Sequence, residues 1–501
     1  MLLRRIFDSS LAQAAYLVGC PETREAIVID PACDIDRYLA IAETDRLRIV
    51  AVAETHLHSD FVSGACGFAS HHPVTVYLSS EGRAPDWTAG TRLAEGAQVA
   101  TVGAGDAFGV GTLRFTVRHT PGHSAESLSF ELARPGASPL LFSGDFLFAG
   151  GVGRVDLGSL AEGGLTVDEA VERLRGSIAA LEDLPAETEV LPGHGQGTEC
   201  GMAICRMPAT TLGIERVINR AIRAQAEGRD LGEALAKGAA APPPYFARVR
   251  RLNAGGSRAI ARPPQVAELD AAAFAPLFAD PSMIVVDTRP WHDYLDLRLP
   301  HAISAPFERS FGPTVANYLE EGDRVVLVAP RAEVEAMVRV LLRVGVAPDA
   351  IAGFVEPTTV ARLDDDCFAD AGAVDEIAPV AAHALVESGD AQVVDVRTAG
   401  EFAQGHLVDA RHIPFIELRA RADELDPDRP VLCYCRSGNR SARAAGYLAS
   451  RGFTAYSMRG GYWPYAGRGY ATEGDATAAR AGERVQPPAP DASRSARGTE
   501  S

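Results

Sequence analysis

The sequence predicts an α/β protein of three folded units: an N-terminal αββα sandwich, then two small domains with parallel sheets. Three observations carry this. At 501 residues the chain exceeds a single hydrophobic core. Short apolar strands in the first half end at or near clusters of His and Asp, with helical patterns between them. Two later stretches resemble each other: Asp287 aligns with Asp395 at an offset of 108 and Pro330 with Cys435 at an offset of 105. An internal repeat of that length is one small α/β domain.

The elements follow in order. The opening MLLRRIFDSSLAQAAYLVGC places Asp8, Ser9, Ser10 and Gln13 inside any would-be apolar segment, so it reads as two strands and not as a signal peptide. Strands are expected at Ala26–Asp30, Ile49–Ala53 and Leu140–Phe142. Thr166 and Glu169 form a capping box, and Val171, Leu174, Ile178 and Leu181 follow at helical spacing. Pro242–Pro244 and the stretch from Gly255 to Pro264 mark a boundary. The expected domains are 1–255, 265–368 and 375–473. From 474 to 501 Val485 is the only large aliphatic residue, which predicts a disordered tail.

A net charge of −18 argues against nucleic acid as a partner. No run of 18 apolar residues predicts a membrane span. Eight cysteines without a regular framework predict free thiols and a cytoplasmic location.

Four pieces then converge on a metal: Thr55-His56-Leu57-His58-Ser59-Asp60, His123 in HTPGHS, Asp145 in FSGDFLF and His194 in LPGHG. Each lies beside a turn, where neutral imidazoles and carboxylates suit a first-row divalent ion. The chain here resembles the metallo-β-lactamase superfamily. That resemblance implies one metal position lined by His56, His58 and His123 and a second lined by Asp60, Asp145 and His194. Phe61 stands where the family's THxHxDH motif has a further histidine, and a phenyl ring cannot ligate. A two-zinc thioester hydrolase of the glyoxalase II type is thereby weakened, and no obvious helical glutathione-binding domain follows the sandwich.

The persulfide dioxygenase branch of that superfamily fits better. It implies one Fe(II) per chain, held by His56, His123 and Asp145, with His58, Asp60 and His194 orienting the ligands; zinc is the alternative metal. Gly150-Gly-Val-Gly-Arg154-Val-Asp156 is similar to that branch's GGxGRxD. Arg154 fits either a substrate carboxylate or a structural salt bridge.

The last unit carries Cys435-Arg-Ser-Gly-Asn-Arg440 between an apolar strand and a helix around Ala442–Leu448. Backbone N–H groups of such a loop favour an anion. Arg436, Arg440 and the helix end are expected to favour the Cys435 thiolate. Phosphatase loops are longer. With Asp395, Arg397, Glu401-Phe402, Gly405-His406 and Gly460-Gly461-Tyr462-Trp463, residues 380 to 470 resemble rhodanese. The resemblance implies Cys435 as sulfur carrier, Arg440 as its catalytic partner, and Arg436, Ser437, Gly438 and Asn439 as the substrate cradle. Pro330 replaces the cysteine in the first repeat, so that domain is expected to be inactive, a spacer or docking surface. Cys433 is expected to be buried and structural. Cys200 is a candidate sulfur relay; Cys66 and Cys205 read as structural.

Together the resemblances imply oxidation of a low-molecular-weight persulfide, such as glutathione persulfide, by O2 to sulfite and thiol, linked through Cys435 to sulfite and thiosulfate. A zinc hydrolase fused to a sulfurtransferase and a non-enzymatic sulfur carrier remain alternatives. A homodimer is compatible with the sequence.

Overall fold

The computed structural model describes residues 1–81, 92–160, 164–201, 203–236, 241–256, 259–280, 282–300, 302–368 and 373–474. Apart from Gly474, the expected tail lies outside the described residues.

Two six-stranded sheets face each other in the first domain. One runs in chain order through Leu2–Asp8, Gln13–Gly19, Glu25–Ile29, Arg48–Ala53, Thr75–Ser79 and Gln98–Val102. The other is ordered Thr210–Thr211, Glu189–Pro192, Leu140–Gly144, Leu128–Leu132, Leu113–His119 and Ala107–Val110. The second strand shows why the layers form. Ala14, Tyr16 and Val18 face the core between the sheets, whereas Ala15 and Leu17 face the outer helical layer. A strand covered on both sides is continuously apolar rather than alternating. Helix Val167–Ala179 covers the second sheet with Leu174 and Ile178, and the capping box of Thr166 and Glu169 is present. Leu181 is buried just past its end.

The middle unit is a four-stranded parallel sheet ordered Ala302–Ser304, Met283–Asp287, Arg324–Val328, Ile351–Val355. The third is a five-stranded parallel sheet ordered Ala373–Ile377, Thr454–Met458, Val431–Tyr434, Gln392–Asp395, Arg411–His412. The repeat extends to side chains. Arg289 Nη2 donates to Asp287 (2.6 Å) and to the Leu297 carbonyl (2.6 Å). Arg397 Nη2 does the same with Asp395 (2.5 Å) and the Gly405 carbonyl (2.6 Å).

The three units share one apolar core, which includes Phe61, Val62, Tyr245 and Phe246 of the first, Phe311, Met337 and Leu341 of the second, and Ile413, Cys435 and Ala444 of the third. Phe61 is fully buried in it. The histidine missing from the metal motif is thus a residue that packs between domains. Polar ties reinforce the seam: Arg343 bonds Asp8 and Asp34, and Arg339 bonds Asp36 (2.7 and 2.8 Å). No described helix is long and apolar enough to cross a membrane.

Candidate metal centre and sulfur-transfer loop

His56 and His58 follow the strand Arg48–Ala53, His123 follows Leu113–His119, Asp145 follows Leu140–Gly144, and His194 follows Glu189–Pro192. Strand ends of both sheets therefore meet at one edge, and every one of these side chains is buried. Asn253, on the helix Tyr245–Ala254, pins the first motif by donating to the carbonyls of His58 and Phe61 (both 2.9 Å). Gly144 (φ 51°) lies against Thr55, and a Cβ there would come 2.4 Å from Thr55 Oγ1.

His56, His123 and Asp145 form one cluster whose ligand atoms lie within 4.8 Å of one another. Asp145 Oδ2 is 3.7 Å from His56 Nε2 and 3.5 Å from His123 Nε2. His56 Nε2 and Asp145 Oδ2 are both buried without a hydrogen-bond partner. Buried polar atoms left unpaired and aimed at one point fit a cation between them. The outer nitrogens fix the tautomers. His123 Nδ1 lies 2.9 Å from the Arg154 carbonyl oxygen, which only accepts, so Nδ1 carries the proton and Nε2 a lone pair. His56 Nδ1 lies 3.0 Å from Thr55 Oγ1, whose own proton goes to Asp30 Oδ2 at 2.9 Å. Its Nε2 is likewise left free. Burial first, then neighbouring His58, lowers the His56 pKa, and burial lowers that of His123. Both histidines are thereby kept neutral, as ligands must be.

The other family positions are turned elsewhere. His194 Nδ1 is 2.8 Å from Asp145 Oδ1 and its Nε2 is 2.8 Å from Asp60 Oδ2. Carboxylates only accept, so both nitrogens donate and the ring is a cation. Burial opposes that charge, yet Asp145 and Asp60 push the pKa up to about 10. His58 Nε2 faces Asp30 Oδ1 (3.2 Å) and Glu54 Oε2 (3.0 Å), away from Asp145, with Phe61 against its ring (4.2 Å between centroids). Those two carboxylates outweigh burial and hold His58 charged. Three buried clusters thus meet here: His56, His123 and Asp145; Asp60, His194 and Cys200; and Asp30, Glu54 and His58. In the second and third the histidine is already taken up by carboxylates, His194 by Asp60 and Asp145 and His58 by Asp30 and Glu54. Asp30, Glu54 and Thr55 were missed as site residues. Asp30 directly follows the strand Glu25–Ile29 in the left-handed region (φ 52°), a signal visible only in the backbone.

Arg154 is bidentate to Asp156 (2.6 and 2.7 Å) and donates to the Glu199 carbonyl (3.1 Å). A substrate carboxylate would have to displace Asp156. Cys200 is buried, with its sulfur within 4.8 Å of ligand atoms of Asp60 and His194. Burial and then the charges of Asp60 and Asp145 raise its pKa well above the ordinary value, so it is held as a thiol.

Cys435 lies at the end of Val431–Tyr434 and is 1% exposed. The Gly438 N–H donates to its sulfur at 3.1 Å, and the Ser441 hydroxyl lies 3.7 Å away. Gly461 (φ 69°) backs the loop; a Cβ there would come 2.3 Å from the Cys435 carbonyl oxygen. Arg436, Ser437 and Asn439 are exposed around the mouth, and helix Asn439–Ser450 runs inward. Arg440 is bidentate to Glu401 (2.8 Å twice) rather than directed at the sulfur. Cys433 is fully buried and its pKa is raised by burial. All eight cysteines are free thiols; Cys66 is buried and Cys205 half-buried.

Comparison with known proteins agrees with this layout. Residues 10–194 match the metallo-beta-lactamase superfamily and residues 378–466 the rhodanese-like domain. A metallo-beta-lactamase crystal structure from Staphylococcus aureus is 30% identical, with a TM-score of 0.61, and the match covers 71% of this chain and 99% of that one. The chain belongs to the metallo-beta-lactamase superfamily. It carries a rhodanese-like domain after the metallo-beta-lactamase fold. A hydroxyacylglutathione hydrolase from Thermosynechococcus vestitus is 28% identical over 47% of this chain and 92% of its own length. A sulfurtransferase from Allochromatium vinosum is 40% identical over 17% of this chain and 80% of its own.

Proposed function

We propose that the protein oxidises the outer sulfur of a low-molecular-weight persulfide at a mononuclear Fe(II) centre and exchanges sulfane sulfur through Cys435. The observation that carries this reading is the set of His56, His123 and Asp145, in which His56 Nε2 and Asp145 Oδ2 are buried without a hydrogen-bond partner, beside a His194 that donates from both nitrogens and a Phe61 that cannot ligate. Two histidines and one carboxylate leave several coordination positions open. When bound, Fe(II) would supply adjacent sites for the persulfide sulfur and O2.

The chain's own residues do the rest. His56 and His123 present fixed lone pairs, Asp145 supplies the anionic donor, and His194 holds Asp145 in orientation from its far oxygen. The burial of His56, His123 and Asp145 keeps bulk water from the reacting sulfur. The balance is persulfide, O2 and water giving thiol, sulfite and two protons; O2 is the four-electron acceptor. At the second centre, Cys435 carries an outer sulfur as Cys–S–S⁻, cradled by the Gly438 N–H. Sulfite attacks that sulfur to leave as thiosulfate and return the thiolate, and the reverse step loads the cysteine from thiosulfate. The middle domain, with Pro330 at the cysteine position, is a degenerate rhodanese-like copy with no nucleophile at that loop position.

His123→Ala is expected to abolish persulfide-dependent O2 uptake and leave thiosulfate-to-thiol transfer intact; Cys435→Ser should do the opposite. Uptake surviving His123→Ala would contradict the reading. A second reading, a zinc thioester hydrolase fused to a sulfurtransferase, is favoured by the similarity to hydroxyacylglutathione hydrolases. It requires hydrolysis of a glutathione thioester by the zinc-loaded protein.

A further inference from the structure

Several arginines approach the metal edge, and they are not equivalent. Arg154 is neutralised by Asp156. Arg250, on the helix Tyr245–Ala254, donates to the Leu57 carbonyl and pairs with Glu126 (3.2 Å). Arg309 comes from the middle domain. It is exposed, and its Nη2 donates to the Gln196 carbonyl at 2.5 Å. No carboxylate lies within ion-pair range of it among the described residues.

Its seat is specific. Gly197 has φ 99°, and a Cβ built there would fall 2.0 Å from Arg309 Nη2 and 2.4 Å from its Cζ. A side chain at 197 would have to displace the guanidinium from the loop that carries His194, and the positive φ itself favours glycine there. Gly197 is three positions after His194, at most about 11 Å of backbone. The cation thus stands within a small peptide's length of the metal ligands. Arg5, on the strand Leu2–Asp8, approaches the same loop, its Nη2 3.8 Å from the position a Gly195 side chain would take.

The internal repeat shows that this segment has diverged. At an offset of 108, Pro306-Phe307-Glu308-Arg309-Ser310 aligns with Pro414-Phe415-Ile416-Glu417-Leu418. Phe415 and Leu418 are buried, whereas Phe307, Glu308 and Arg309 are exposed. Glu308 and Ser310 bind Arg443 of the rhodanese-like domain, the latter at 2.5 Å, which braces the segment from its other side. The domain with Pro330 at the cysteine position therefore places a cation against the loop that carries His194 of another domain.

We propose that Arg309 binds a carboxylate of the persulfide's carrier thiol, so that the middle domain supplies a substrate-binding residue to the metal centre. This rests on the persulfide reading above. The ligand class is a small thiol bearing carboxylates, of glutathione size, oriented with its sulfur toward His56, His123 and Asp145.

The test uses the full-length, metal-loaded protein. Binding of S-methylglutathione, which has the carboxylates but no reactive sulfur, is measured by calorimetry. O2-uptake kinetics follow with glutathione persulfide and with uncharged 2-hydroxyethyl persulfide. Arg309→Gln should weaken S-methylglutathione binding about fivefold, the effect of one partly screened ion pair. It should raise KM for glutathione persulfide by a similar factor, leave kcat unchanged, and leave KM for the uncharged persulfide unchanged; Arg309→Lys should recover part of the loss. No binding by the wild type, or equal binding by both, overturns the proposal. So does an equal KM rise for both persulfides, which would make Arg309 a brace for the His194 loop. If the wild type consumes no O2 with either persulfide, the persulfide reading fails, and the binding measurement still decides whether Arg309 holds a carboxylate.

Discussion

Thr55 never touches the metal position, yet the geometry makes it decisive for metal affinity. Its hydroxyl has one proton, donated to Asp30 Oδ2 at 2.9 Å, and its lone pair receives the His56 Nδ1 proton at 3.0 Å. Thr55→Val keeps the shape and removes both bonds. Asp30 retains the Thr55 backbone N–H at 2.7 Å and His58 at 3.2 Å, so the loss falls mainly on His56. Its buried Nδ1–H is left without a partner and its ring is free to swing or to change tautomer. Removing such an outer partner typically costs about 10–100-fold in metal affinity, or about 1.4–2.7 kcal/mol. An unmet buried donor costs the metal-free fold about 1–3 kcal/mol as well. Anaerobic titration with Fe(II), alongside thermal melting of the metal-free protein, separates the two effects. Affinity unchanged within about twofold in a folded variant would refute the tautomer argument, because His56 would then not depend on Thr55.

Three further outcomes are expected. Pro330→Cys should not create a second sulfurtransferase centre, so Cys435→Ser/Pro330→Cys stays inactive with thiosulfate; activity in that double variant would contradict the inert reading of the middle domain. Arg343→Met should cost about 3 kcal/mol, since it leaves Asp8 and part of Asp34 buried without a counter-charge; denaturant melts should show it, and a loss below about 1 kcal/mol would contradict it. Glu401 is held down to about 2 by Arg440 against the cost of burial, from an ordinary 4.5. A lowered carboxylate stabilises the fold above its unfolded value, so this contribution is intact above about pH 4.5 and lost as pH falls toward 2. Glu401→Gln should flatten that acid limb, and an unchanged pH–stability curve would count against the pair.

Much of this was legible in residue types. His56, His123 and Asp145 stand at strand ends beside turns, and the repeat of Asp287 and Asp395 fixed the equivalence of two domains. Periodicity placed the helix after Thr166, because its apolar stripe and capping box are local signals. What could not be read is where side chains turn. Nothing in THLHSDF says that His58 faces Asp30 and Glu54, because Asp30 belongs to a different strand. Arg440 and Glu401 are 39 positions apart in sequence, and the ion pair between them draws the guanidinium from the cysteine loop. Phe61 read as a missing ligand; the fold adds that it fills a core shared by three domains, a long-range fact no local pattern encodes. Arg309 lay in a unit expected to be inert, and its contact with Gly197 spans more than a hundred residues of sequence.

The central claim is a mononuclear iron centre that consumes O2. The most direct measurement is O2 consumption with glutathione persulfide on protein purified without oxygen, with metal content determined on the same sample. Iron near one per chain, with rapid uptake and sulfite or thiosulfate formed, is the predicted result. Zinc near one or two per chain, no uptake, and hydrolysis of a glutathione thioester would contradict it.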